Sequence, residues 1–163
     1  MGGSKDTYTV YPIGHVRASE GAYRLEILEP YRPALRLLDR FSHAQVFFWF
    51  DQHDMDELRS IMQAELPYAD SVTAGVFACK SPVRPNLIGL TTCTLLGVDE
   101  EAGIVRLAWI DAFDGTPVLD LKPYIPTSDR VRDVRVAPWC AEWPEWMEDA
   151  AAYFAAHEVD FGG

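Results

Sequence analysis

Apolar and polar positions alternate along much of this chain, and helical spacing shows in only three places. Tyr23, Leu25 and Ile27 stand against Arg24 and Glu26, which is the period of a half-buried strand over residues 23–28. Residues 7–16, with Tyr8, Val10, Tyr11 and Ile13, predict a strand broken or edged at Pro12. Ser19-Glu20-Gly21-Ala22 then reads as the turn of a hairpin. Residues 43–50 are too short for a comfortable helix and too apolar for a one-sided strand, so they predict a central buried strand. Three more strands are expected at 72–79, 88–98 and 103–111, the last two joined by a polar turn at 99–103. Helical spacing appears at 33–41, where Leu35 and Leu38 face inward. It recurs at 54–66, where Asp54 and Glu57 form a capping box ahead of Met55, Leu58, Ile61, Met62 and Leu66. A last helix is expected from Pro144, with Trp146, Ala150, Tyr153, Phe154 and His157 on one face. Residues 127–136 read as an exposed connector.

Strands outnumber helices and come as neighbours, so the expected fold is mainly β: an antiparallel sheet or barrel with peripheral helices. A chain of 163 residues without a linker-like stretch suits one domain, taken as 7–163, with residues 1–6 a disordered tail or cloning remnant. Hydrophobic residues make up 48% and charged residues 24%, an ordinary globular composition. Three cysteines without metal-ligand spacing argue against disulfides and zinc and fit a reducing, cytoplasmic setting. No segment approaches the roughly 20 apolar residues that span a bilayer. The net charge of −11 argues against a broad, sequence-independent grip on nucleic acid. Arg32, Arg36 and Arg40 would form a local basic stripe if residues 33–41 are helical. Trp139, Trp143 and Trp146 could cover the core or meet a second subunit.

Chemistry concentrates in two motifs. In Lys80-Ser81-Pro82-Val83-Arg84-Pro85-Asn86 the prolines stiffen the backbone and remove donors, which leaves recognition to side chains. Arg84 is a fork suited to a carboxylate or phosphate, Lys80 is a second cation, and Asn86 can both donate and accept. Arg84 could equally pair with a nearby Asp. The second motif, residues 110–126, carries Asp111, Asp114 and Asp120, with Gly115 permitting a tight turn. These carboxylates give no ordered ligand loop of the calcium kind, and no metal is expected. They could accept from ribose hydroxyls, meet a ligand cation or act as a general base, while Asp120 could instead pair with Lys122 or Arg84. Cys79, although beside Lys80, reads as a buried strand thiol. No nucleophile elbow, phosphate loop or paired-histidine signature occurs.

Together the two motifs resemble the TrmO-like (TsaA-like) family of S-adenosylmethionine-dependent tRNA methyltransferases. The likeness rests on Gly75-Val-Phe-Ala-x-Lys-Ser-Pro-x-Arg-Pro-Asn-x-Ile-Gly89 and Asp111-x-x-Asp-Gly-Thr-Pro-Val-Leu-Asp-Leu-Lys-Pro-Tyr-x-Pro126. Ile13-Gly14-x-Val16-Arg17 and Phe41-Ser42-His43 extend it, so that it covers roughly residues 10–126. The resemblance implies a compact β-barrel of the TsaA-like or YaeB-like kind, in a short form without the extra C-terminal domain of longer members. It implies a homodimer, S-adenosyl-L-methionine as cofactor, and methyl transfer to N6 of threonylcarbamoyladenosine in tRNA. Carried over position by position, cofactor contacts fall on Asp51, Gln52, Lys80, Leu90, Ile110, Asp111, Ala112 and Phe113. Here Asp51 stands where the family has His, and Lys80 where it has Arg. Arg84, Asn86, Asp114 and Tyr124 would line the substrate side. Asp114 is the first candidate for a catalytic base, with Tyr124 and His43 the others. Two other functions fit the same residues: methylation of a small amine or amide, and non-catalytic binding of S-adenosylmethionine or a nucleotide.

Overall fold

The computed structural model describes residues 6–69 and 72–157. Six antiparallel strands, β1 (Gly14–Ser19), β2 (Ala22–Ile27), β3 (His43–Trp49), β6 (Ile88–Asp99), β7 (Ile104–Leu107) and β8 (Pro117–Pro123), close a barrel in the order β1-β2-β7-β6-β3-β8. β4 (Gln63–Glu65) and β5 (Thr73–Gly75) form a separate two-stranded sheet. The tail at residues 1–5 lies outside the described residues, and Asp6 is exposed.

β1 (Gly14–Ser19) and β2 (Ala22–Ile27) form the expected hairpin, with Ser19 opposite Ala22. Glu20 at φ 51° and Gly21 at φ 78° make the tight turn, whose left-handed backbone matches the twist of the flanking strands. β1 starts later than residue 7, because Pro12 offers no ladder donor and Tyr8, Val10 and Tyr11 stay exposed. β3 (His43–Trp49) is central, pairing with β6 (Ile88–Asp99) on one side and β8 (Pro117–Pro123) on the other. Its side chains alternate: Ala44, Val46 and Phe48 are buried, while Phe47 and Trp49 are half-buried. β7 (Ile104–Leu107) completes the barrel between β2 and β6. Val16, Leu25, Phe48, Cys93, Val105, Leu107 and Val118 belong to the buried core cluster.

Several expectations are corrected. The helix expected at 54–66 shrinks to α1 (Asp56–Arg59), and Gln63–Glu65 is β4. Met55 and Met62 remain exposed, and a helix that finds no core for its apolar face is marginal in water. Asp54 caps nothing in α1. The strand expected at 72–79 is only Thr73–Gly75 (β5), and β7 ends at Leu107, short of Asp111. Residues 29–40 form two 3-10 turns separated by Leu37 at φ 67°, with Leu35 and Leu38 buried as expected. The arginine stripe does not form, and Arg32 instead donates to the carbonyls of Ile27 and Glu101.

α2 (Pro126–Asp129) takes the first three residues of the connector expected at 127–136, whose remainder is exposed and outside helix and strand, and α3 (Met147–His157) starts three residues beyond Pro144. Trp139 packs on the second core of Leu66, Ala69 and Ala74. Trp143 meets Tyr68 and Phe154 edge to face, and Trp146 is 45% exposed beneath Arg130. Among the described residues no helix is long and apolar enough to cross a membrane.

All three cysteines are free. Cys93 is 1% exposed, and burial pushes its thiol up to about 12. An alkylating reagent at about pH 8 is expected to modify Cys79 and, more slowly because partial burial raises its thiol as well, Cys140 in the native protein, and Cys93 only after unfolding. Mass spectrometry reads the adducts, and native alkylation of Cys93 would contradict the packing of β6.

Candidate active site

Register decides what the two motifs can do together. Trp49, the last residue of β3, pairs with Ile88, the first of β6, and Phe48 pairs with Val118 near the start of β8. Just beyond, the Phe50 N–H donates to the Leu87 carbonyl at 2.8 Å. Three segments therefore leave the same end of the barrel: the turn Asp51–His53, the loop carrying Lys80, Arg84 and Asn86, and the loop from Ala108 to Thr116. They are far apart in sequence, and the antiparallel barrel makes them neighbours.

Within the last loop, side chains divide by direction. Ile110 is 2% exposed and belongs to the core, so it can offer a ligand only its backbone. Ala112 packs on the core beside it, while Asp111 and Phe113 face outward. Asp114 Oδ1 accepts from the Ala18 N–H at 3.0 Å, and the Gly115 N–H donates to the Val16 carbonyl at 2.9 Å. Gly115 at φ 85° lets the chain turn there. The bond to Ala18 fixes the Asp114 carboxylate and leaves its second oxygen to solvent or a ligand.

The other motif loop folds on itself. Arg84 Nη1 lies 3.5 Å from the Cys79 carbonyl and 3.4 Å from the Ser81 carbonyl, and the Val83 N–H donates to Ser81 Oγ. Arg84 is half-buried, with carbonyls rather than a carboxylate as its partners. Lys80 and Asn86 are exposed. Asp120 meets Lys122 at 2.9 Å, the structural pairing considered for it. Leu90 points out of the barrel on β6, as does Ile88.

His43 and Tyr124 lie elsewhere. His43 begins β3 opposite Thr94, and the Tyr124 N–H donates to its carbonyl at 3.0 Å, with ring centroids 6.3 Å apart. The ring nitrogens of His43 are engaged by Ser42 Oγ at 2.8 Å and Thr94 Oγ1 at 3.1 Å. Six residue steps of about 3.4 Å put His43 roughly 20 Å along the strand from Trp49. The topology thus sends Asp51, Gln52, Arg84, Asn86 and Asp114 to one end of the barrel and starts β3 at His43 and ends β8 before Tyr124 at the other. The Ala108 N–H, however, reaches back to the Thr94 carbonyl beside His43 at 3.1 Å.

Trp49, Asp54 and Arg59, beside the Asp51 turn, carry no signal in the motif reading. Trp49 Nε1 donates to Asp54 Oδ2 at 3.0 Å, and Arg59 Nε donates to Asp54 Oδ1 at 2.8 Å. The indole N–H first, and then Arg59, hold the Asp54 carboxyl below its ordinary range. Phe77, Trp109 and Phe113 are 80%, 52% and 63% exposed, and Ile88 and Leu90 add apolar surface. The Trp109 signal lay in an aromatic continuing the β7 run past its last paired residue. Two concavities, one of about 400 Å³ lined by Leu35, Leu38, Phe41 and Leu121 among others, open at the His43 end of the barrel. Neither is lined by Lys80–Asn86 or Asp111–Asp114. Residue chemistry, not cavity depth, locates the site. Among the described residues, no three His, Cys, Asp or Glu side chains gather to hold a metal.

Comparison with known proteins gives this surface a family. Residues 7–130 match the family described as tRNA-methyltransferase O N-terminal domain. The chain is 36% identical to a putative S-adenosylmethionine-dependent methyltransferase RcsF of Pseudomonas aeruginosa, covering 93% of this chain and 73% of that one. It is 33% identical to an S-adenosyl-L-methionine-binding protein of Archaeoglobus fulgidus over 72% of this chain and 80% of the relative. It is 41% identical to the tRNA (adenine(37)-N6)-methyltransferase of Mus musculus over 61% of this chain, but spans 22% of that protein. A probable S-adenosyl-L-methionine-binding protein of Archaeoglobus fulgidus is likewise covered over only 32% of its length. A crystal structure of TrmO from Pseudomonas aeruginosa superimposes with a TM-score of 0.65 at 31% identity, over 97% of this chain and 77% of that one. The closed β-barrel with few helices agrees with that structure, and the chain belongs to the tRNA-methyltransferase O N-terminal domain family.

Proposed function

We propose that this chain is an S-adenosylmethionine-dependent methyltransferase that methylates N6 of a threonylcarbamoylated adenosine in tRNA, working as a homodimer in the cytoplasm and folding as one domain. The observation that carries the reading is the gathering of Asp51–Gln52, Lys80–Asn86 and Ile110–Asp114 at one barrel end.

The residues there fit the cofactor. Asp111 is exposed with no protein partner among the described residues, as a carboxylate that accepts from ribose hydroxyls should be. Exposed Phe113 offers a flat apolar face to an adenine, and Lys80 a cation to a carboxylate. When bound, S-adenosylmethionine supplies an electrophilic methyl group on a sulfonium. Methyl transfer is an in-line displacement, so what this chain contributes is mainly alignment. Arg84 and Asn86 hold the acceptor. Asp114, fixed by Ala18, would take the proton that N6 loses as the N–C bond forms and the methyl–sulfur bond breaks to leave a neutral thioether. The homodimer reading is supported by the exposed apolar side chains of Phe77, Trp109, Phe113, Ile88 and Leu90, because exposed aromatics concentrate at interfaces. A second subunit could also bring its own His43 and Tyr124 toward the motif end.

The net charge of −11 favours a second reading, a small amine or amide acceptor at the same residues. Calorimetric titration with S-adenosylmethionine is expected to show stoichiometric binding, and the absence of heat at about millimolar ligand would remove both readings. Labelled methyl transfer into bulk tRNA then separates them: a tRNA acceptor loses affinity steeply as salt rises, and a small one does not.

A further inference from the structure

The residues from the end of β3 to the end of α1 form a clasp that no motif carries. The bond from Trp49 Nε1 to Asp54 Oδ2 at 3.0 Å closes the short loop that contains Asp51 and Gln52. Arg59 approaches the same carboxylate from the other side, with both Nε and Nη2 2.8 Å from Oδ1. Its third arm leaves the loop altogether, and Nη1 donates to the Pro85 carbonyl at 3.3 Å. The guanidinium carbon stands 5.3 Å from the centre of the Trp49 ring, so the fork also packs on the indole. Pro85 lies between Arg84 and Asn86.

We propose that Arg59 is a positioning residue. Acting through Asp54 and Pro85, it sets the spacing between the Asp51–Gln52 turn and the Arg84–Asn86 loop. This rests on the reading above, which gives the turn to the cofactor and the loop to the methyl acceptor. The backbone bond from Phe50 to Leu87 ties the roots of the two segments, and Arg59 ties them farther out. Stability does not account for the arrangement. Arg59 and Asp54 keep 31% and 42% of their side-chain surface, and ion pairs this wet add little to folding. Helix α1 buries no residue, and Asp54 does not cap it. What the clasp does supply is geometry, because a planar fork can hold a carboxylate and a carbonyl at once and a lysine ammonium cannot reproduce that fixed arrangement. In-line transfer is sensitive to such spacing.

Arg59→Lys and Arg59→Met test this in the full chain. Melting temperatures are expected to stay within about 4 °C of wild type. Amide exchange is expected to rise on the order of tenfold at residues 51–53, 84 and 86–88, and not in β1, β2 or β7. Methyl transfer should slow by about 10-fold to 100-fold, in Arg59→Lys as well as Arg59→Met. Unchanged exchange in the two loops would overturn the clasp, whatever the activity. Faster loop exchange with wild-type kcat and KM would overturn its positioning role, and a large melting shift with exchange rising everywhere would reduce Arg59 to a folding residue. If wild type itself transfers no methyl group, the functional reading falls, and the exchange measurement still decides whether Arg59 joins the loops.

Discussion

Asp114→Asn is expected to lower methyl transfer by roughly 10²-fold to 10⁴-fold, the range a positioned general base contributes, with folding left intact. Asparagine retains an Oδ1 that can accept from the Ala18 N–H, so the bond that ties the 108–116 loop to the end of β1 survives. What disappears is the oxygen able to take a proton. Asp114→Ala removes both, and its further cost is about 1 kcal/mol for one hydrogen bond at an exposed site. Thermal melts and labelled-methyl assays on the two variants separate the roles. Equal melting of wild type and Asp114→Asn with lost transfer assigns the proton to Asp114. If Asp114→Asn transfers at the wild-type rate, the base lies elsewhere, and His43 and Tyr124 of a second subunit become the next to test. Cofactor affinity should change little in either variant, since the neighbouring Asp111 is the carboxylate given to the ribose.

Why Asp114 could be nominated from sequence while its anchoring could not is a matter of range. An Asp followed by Gly, among prolines, announces a rigid turn with a free carboxylate. Its partner Ala18 is 96 residues away and has no side chain that could advertise the contact. The same limit explains the fold. The hairpin was legible because Glu20-Gly21 between alternating runs is a local instruction, and β3 because Val46-Phe47-Phe48-Trp49-Phe50 is a continuous apolar run. β8 was hidden by Pro117, Asp120, Lys122 and Pro123, residues that usually mark a turn. The prolines stand at the strand's two ends, and Asp120 is occupied by Lys122 and by the Leu121 N–H. The helix over 54–66 failed for the opposite reason. Its local pattern was good, but only Leu66 among its apolar positions is buried, and spacing without a surface to bury it does not hold a helix. Asp54, read there as a cap, faces Trp49 and Arg59 instead.

Gly89 shows that a motif residue can serve the scaffold that holds the site rather than the ligand. It pairs directly with Phe48 across β3 and β6, and both are buried. A methyl group on Gly89 would sit 2.5 Å from Phe48 Cζ, closer still to Cε2, and 2.8 Å from Cδ2. The ring has little room to retreat, because its other face is taken by the core and its edge meets Phe50 with centroids 5.3 Å apart. Gly89→Ala is therefore expected to cost about 1–3 kcal/mol by overpacking, and Phe48→Ala about 3–5 kcal/mol by leaving a cavity at the barrel's centre. The two losses should not add. With Phe48 reduced to Leu, the space that Gly89→Ala needs is opened, so Phe48→Leu/Gly89→Ala should be more stable than the sum of its single changes predicts. Urea unfolding of the four proteins gives the cycle, and strict additivity would show that the ring does not lie over Gly89. The consequence reaches the site, because Trp49 and Ile88, the next residues on each strand, are where the Asp51 turn and the Asn86 loop depart. A shifted Phe48 moves those roots apart, so Gly89→Ala should also reduce cofactor affinity, and restoring the space with Leu at position 48 should recover part of it.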